Sequence, residues 1–131
     1  MSEPEFLDLD EVLEIHALQL ADFGGLEGVR DQGLLESALE QPRATAFGQF
    51  LHGDLFEMAA AYLFHVVKNH AFMDGNKRTA LLSTLVFLDI NGISIDREDD
   101  RLYELTLAAA EGRISKPEIG EQLKTIAGVE S

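Results

Sequence analysis

Apolar positions recur along this chain at the spacing of helices, not of strands. Leu9, Leu13, His16 and Leu20 share one stripe, and Asp8 stands three residues before Glu11, the spacing of a capping box. A first helix is therefore expected from Leu9 to the Gly24-Gly25 pair. "RDQGLLESALEQP" predicts a short second helix, capped by Asp31 and stopped before Pro42. Residues 42–53, "PRATAFGQFLHG", read as a loop with two phenylalanines and two glycines. "DLFEMAAAYLFHVVKN" opens with Asp54 and Glu57 at capping-box spacing and is then apolar nearly all round. "RTALLSTLVFLDIN", closed by Gly92, repeats that character, and helices of this kind are buried. Ala59, Ala60 and Ala61 would let a neighbouring helix come close. "ISID" reads as a short extended piece and "REDDRLYELTLAAAEG" as an amphipathic helix. Ser115, Pro117 and Glu118 in "SKPE" mark the start of the last helix. The expectation is an all-α, compact single domain over residues 1–131, with about six helices and two buried central ones.

Composition changes this picture only where it excludes. A chain of 131 residues, 46% apolar and 26% charged, can bury a real core as one domain. No stretch has the unbroken apolar length of a membrane span. The acidic "MSEPEFLDLDE" has neither the basic nor the apolar region of a signal peptide, and there is no cysteine, so a cytoplasmic location is expected. Twenty-four acids against ten bases give a net charge of −14, and no basic face is concentrated enough to hold a phosphate backbone against that field. Direct nucleic-acid binding, and a nuclease activity with it, are disfavoured.

One stretch departs from helical character: "HAFMDGNKRTA", residues 70–80, between the two apolar helices. A tight turn feeding a buried helix presents amides with no intrahelical partner, with positive potential from the helix dipole. Gly75 permits the sharp turn and close backbone approach, and Asn76, Lys77 and Arg78 add a polar group and two cations. Together they make an anion site that suits phosphate. Asp74 has the wrong charge for phosphate and the right place for a Mg²⁺ bridging its oxygens. His70, across the turn, is a candidate base for a hydroxyl attacking phosphorus. A plain solvated turn accounts poorly for Lys77 and Arg78, because cations at a helix N-terminus are mildly unfavourable without an anion. Phe72 reads as a core anchor, and His16, His52 and His65 as structural or solvent-exposed. A metal site on His65, His70 and Asp74 is a weaker reading, since five residues of helix put the two histidines on different faces.

"HAFMDGNKR" resembles the signature of the Fic/Doc superfamily, and specifically its death-on-curing (Doc) branch of bacterial toxins. Fic proper reads His-Pro-Phe-x-x-Gly-Asn-Gly-Arg; the Doc branch reads His-x-Phe-x-Asp-(Ala/Gly)-Asn-Lys-Arg. His70, Phe72, Asp74, Gly75, Asn76, Lys77 and Arg78 match the second form, and "GVRDQGLLESALEQP" and "LTLAAAEGRIS" also look like blocks of that branch. The resemblance implies an all-α Fic fold and a bacterial toxin that phosphorylates a protein hydroxyl with Mg-ATP. The target it implies is a threonine of elongation factor Tu, with arrest of translation. Carried over, His70, Asp74 and Arg78 would be the catalytic set, with Asp74 the Mg²⁺ ligand, and Gly75, Asn76, Lys77 and Arg78 would hold phosphates. Lys77, where Fic proper has glycine, fills the room that the adenylylating pose uses.

A Fic inhibitory motif is missing, because Leu107 stands where Glu111-Gly112 would require Ser or Thr. Restraint is then expected from a Phd-like antitoxin that lays a helix in a groove beside the motif and the 42–53 loop, with Phe47, Phe50 and Leu51 as the docking candidates. Two alternatives stand beside the kinase: AMP transfer on the same fold, and a non-catalytic module that binds a nucleotide or a partner.

Overall fold

The structure is a computed structural model and describes residues 3–129. Six helices follow one another: α1 (Leu9–Phe23), α2 (Gln32–Glu40), α3 (Leu55–Asn69), α4 (Asn76–Ile90), α5 (Asp100–Ala110) and α6 (Lys116–Ala127). Their ends lie where the capping residues put them. Asp8 with Glu11, and Ser115 with Glu118, form complete capping boxes. Asp54 accepts from Glu57 N, and α3 closes only that half of its expected box. Asp31 caps α2 through Leu34 N.

Helix α3 is the centre of the molecule, packed most extensively on α4 and α6 and also touching α2 and α5. Ala59, Ala60, Ala61, Tyr62 and Leu63 have no exposed surface, so small side chains on three consecutive positions admit neighbours on several sides. Helix α4 is its buried partner, carrying Ala80, Phe87 and Leu88 with the buried polar Thr79, Ser83 and Thr84. Leu7 N donates to the hydroxyl of buried Tyr62, and the Asn91 side chain clamps the backbone of Glu5, so the N-terminal strap is tied across both central helices. The burial pushes the Tyr62 phenol up to about 12 and keeps it protonated. Among the described residues no helix is long and apolar enough to cross a membrane.

Three local expectations change. In α1 the fully buried face is Val12, Ile15 and His16, while Leu9, Leu13 and Leu20 sit half-buried at its margins. Residues 42–53 are not a plain loop. They hold a two-stranded hairpin, β1 (Thr45–Ala46) and β2 (Gln49–Phe50), turned by Phe47 and Gly48 at φ 53° and 77°. Positive φ at both turn residues matches the right-handed twist of a hairpin, although a phenylalanine is an unusual occupant. "ISID" is irregular backbone, and among the described residues no strand pairs with it. Ile93 and Ile95 are half-buried and pack on the core, so the alternation serves anchoring instead of a sheet.

Candidate active site

The loop between α3 and α4 is built by four contacts, each set by a different residue. His70 ends α3 in the left-handed conformation, at φ 51° and ψ 45°. Its carbonyl accepts from both Nε and Nη2 of Arg30, at 3.0 and 2.6 Å. The Ala71 carbonyl accepts the amides of Arg30 and Asp31, and Met73 N donates to Gly28 O, so the segment before α2 lies alongside the loop as a short antiparallel bridge. Asn76 closes the turn from the other side. Its Oδ1 accepts from Phe72 N and its Nδ2 donates to Phe72 O, both at 3.0 Å, and the side chain is buried. The fourth contact comes from α1, where His16 Nε2 donates to the Asp74 carbonyl at 2.8 Å and the ring stacks on Phe72.

Helix α4 therefore starts with an open end. Gly75 is its N-cap at φ 80°, and no side chain caps it. The first intrahelical bond runs from Thr79 N to Gly75 O, so the amides of Asn76, Lys77 and Arg78 precede the hydrogen-bonded ladder. Lys77 and Arg78 are exposed at this end. The Arg78 guanidinium rests over the Phe23 ring of α1, 4.3 Å from its centroid, which holds the cation beside the helix terminus.

His70, Asp74, Gly75, Asn76, Lys77 and Arg78 line one cavity of about 390 Å³. Its far wall is α5, which contributes Tyr103, Thr106 and Leu107, and Met73 and Leu81 complete the apolar lining. The Asp74 carboxylate accepts from Leu26 N through Oδ2 at 2.8 Å, and among the described residues no other hydrogen bond holds it. An exposed carboxylate fixed through one oxygen suits Mg²⁺, which takes one or two carboxylates and leaves its other positions to phosphate and water.

Other candidates stand elsewhere. Phe50 packs on Phe6 and Phe6 stacks on Phe87, so the hairpin sits about three helical turns, roughly 16 Å, along α4 from the motif. Phe50 is half-buried and pins the hairpin, while Phe47 at its tip and Leu51 beside it are exposed. A partner helix lying beside both hairpin and motif would have to span that distance, about eleven residues of helix. His65 accepts from Lys116 Nζ at 2.9 Å, and burial, then Lys116, then His52, push its pKa down to about 4. Among the described residues no cluster of three or more His, Cys, Asp or Glu side chains is placed to hold a metal.

Several contributors had no signal in the pattern of apolar positions. Arg30, Phe23 and Tyr103 act through tertiary contact with a loop distant in sequence. His16 was expected to be structural, and it is buried; what the spacing hid was its bond to the loop.

Comparison with known proteins places this arrangement. A family model described as "Fic/DOC family" matches residues 6–88, which span α1 through most of α4 and include the whole motif loop. A protein named "Toxin Doc" from Mycolicibacterium smegmatis is 40% identical over 107 residues, covering 77% of this chain and 80% of that one. "Protein kinase doc" from Escherichia phage P1 is 35% identical over 119 residues, covering 91% and 93%. With the family model spanning the loop and its supporting helices, and the similarity covering 80% and 93% of these relatives, the chain belongs to the Fic/Doc family.

Proposed function

We propose that this protein is the toxin of a toxin–antitoxin pair and transfers the γ-phosphate of Mg-ATP to a serine or threonine hydroxyl of a bacterial protein. The expected target is elongation factor Tu, and the expected outcome is arrest of translation. One observation carries the reading: the uncapped N-terminus of α4, flanked by Lys77 and Arg78, opens into the same cavity as His70. A base with no anion site, or an anion site with no base, would not support group transfer.

The phosphates would lie against the amides from Gly75 to Arg78, with Lys77 and Arg78 supplying charge-assisted hydrogen bonds. Asn76 contributes its amide and not its side chain, because that side chain is committed to Phe72. His70 would take the proton of the target hydroxyl as its oxygen attacks the γ-phosphorus, and the bond to the β-bridging oxygen breaks to release ADP. Asp74 would hold the Mg²⁺, which when bound neutralises charge on the phosphate oxygens. Tyr103, Thr106 and Leu107 on α5 would bound the space left for nucleotide and target. The names of two relatives, "Toxin Doc" and "Protein kinase doc", support the toxin and kinase parts of this reading.

A Phd-like antitoxin would restrain the activity from outside. Glu111 pairs with Arg113 at 2.8 Å at the end of α5, and Leu107 stands where an internal inhibitory motif needs Ser or Thr. The apolar surface around the motif is Phe23, Leu26, Met73 and Tyr103, all exposed, and an amphipathic helix would cover these, with exposed Phe47 and Leu51 of the hairpin offering a further contact.

Expression without an antitoxin is expected to arrest bacterial translation, and His70→Ala to abolish the arrest at equal abundance. General-base removal costs about 10²–10⁴ in rate. His70 is exposed, so the variant should melt within a few degrees of wild type. An alanine variant that still arrests growth would remove His70 from the mechanism.

A further inference from the structure

A buried histidine on an otherwise apolar helix face needs a reason. His16 is 5% exposed between Val12 and Ile15 on one side and the motif loop on the other. A polar ring at such a site is costly unless it is hydrogen-bonded, and among the described residues its partner is the carbonyl oxygen of Asp74, at 2.8 Å. A carbonyl only accepts, so Nε2 carries the proton. The ring also lies parallel to Phe72, with centroids 3.8 Å apart and planes 10° apart. A Cβ at Gly75 would sit 3.6 Å from His16 Cδ2 and 3.7 Å from Nε2, so the glycine backbone runs against the ring edge. One side chain thus touches three parts of the loop in succession: the Phe72 ring, the Asp74 carbonyl and the Gly75 backbone.

The consequence follows from peptide geometry. In a trans peptide the C=O and the following N–H point in opposite directions. Drawing the Asp74 oxygen toward α1 turns the Gly75 N–H away from α1. The same bond fixes the backbone from which the Asp74 carboxylate projects, while Leu26 N holds one carboxylate oxygen.

We infer that His16 is a positioning residue for phosphoryl transfer: its Nε2–H sets the Asp74–Gly75 peptide and thereby aims the Gly75 amide and the Asp74 carboxylate. This rests on the proposed phosphoryl transfer for its rate effect, but not for its effect on the loop. His16 touches no reacting atom; it acts through the peptide.

Two substitutions separate this from a merely structural role. His16→Phe keeps the aromatic stack and loses the donor. His16→Gln keeps a donor near the position of Nε2 and loses the stack. The donor-less variant is expected to transfer phosphate about tenfold more slowly, the size of one lost buried hydrogen bond. Its melting temperature should stay within a few degrees of wild type. The glutamine variant should recover most of the rate even where it melts lower. In ¹H–¹⁵N spectra of the free protein, His16→Phe should move the Gly75 amide resonance and leave remote Gly120 in place. Wild-type transfer by His16→Phe, or losses in both variants that follow their melting temperatures with no rescue by glutamine, would overturn the inference. Should wild type transfer no phosphate, the proposed function falls separately and the Gly75 resonance decides: movement confined to the loop sustains the inference, and an unchanged resonance overturns it.

Discussion

Asn76 commits both ends of its amide to the peptide of Phe72, and that commitment separates two kinds of motif residue. Asn76 and Phe72 build the loop; His70, Asp74, Lys77 and Arg78 are exposed and available to a ligand. The division was half legible. Phe72 reads as an anchor because an aromatic among polar residues at a helix boundary has little else to do. Asn76 reads as a ligand because an asparagine after glycine at a helix start looks free, and only the fold shows its amide turned back four residues. Under the proposed function, Lys77 is the residue on which the direction of transfer would turn. Lys77→Gly would remove a phosphate contact worth on the order of 1.5–3 kcal/mol, a ten- to hundredfold loss of γ-transfer if the contact is made in the transition state. The cost to folding should stay within about 1 kcal/mol, because the position is exposed in the first turn of α4. Steady-state transfer and a urea melt on the same preparation check both. A variant that transfers at the wild-type rate would exclude Lys77 from the phosphate site.

Among the elements, α1, α2, α3 and α6 are legible because an apolar run begins at a cap: Asp8, Asp31, Asp54 and Ser115 each stand at the N-cap. Helix α4, which no side chain caps, and α5 show through their apolar positions alone. The hairpin was not visible because its turn is Phe-Gly, where Asn-Gly or Asp-Gly would have announced it, and because strands of two residues carry no alternation. In the sequence, the connection after α1 announces only a helix stop. Its Gly25 has a second duty: at φ 123°, a Cβ there would meet both Asp74 Cβ and Leu20 Cδ2 at 3.1 Å. The connector thus passes directly under the acidic residue of the motif, and Leu26 N then bonds its carboxylate. Gly25→Ala is expected to destabilise the protein by about 1–3 kcal/mol, through a backbone conformation that L-residues avoid and through the contact itself. Transfer should fall further than stability explains, since Asp74 must shift. Urea midpoints set against initial rates measure this, and a variant with unaltered rate and midpoint would show that the connector yields freely.

For the whole molecule, the net charge of −14 and the cationic end of α4 make a local exception in an acidic surface, and the stability of the fold has its own charge dependence on the other side of α3. His65 is held neutral there, its pKa lowered from 6.5 to about 4 by burial first and by Lys116 second. The sign follows from linkage: the folded state binds this proton less readily than the unfolded chain. The His65 contribution is therefore whole above about pH 6.5 and is lost as the pH falls toward 4. His52 is lowered for the same leading cause and adds in the same direction. Urea midpoints measured from pH 7 down to 4.5 should fall less steeply for His65→Gln than for wild type, the difference removing the contribution of the many carboxylates. Parallel slopes would mean that His65 titrates alike in both states.

Under the proposed function, the open end of α4 receives the phosphates so that the γ-phosphate faces His70 and the target hydroxyl. The most direct measurement incubates the protein with Mg-ATP labelled in parallel at the α- or the γ-phosphate, in bacterial lysate, with His70→Ala as the blank. The expected result is γ-label on a protein the size of elongation factor Tu, no α-label, and neither label with the alanine variant. Transfer of α-label by wild type would contradict it and identify AMP as the group transferred.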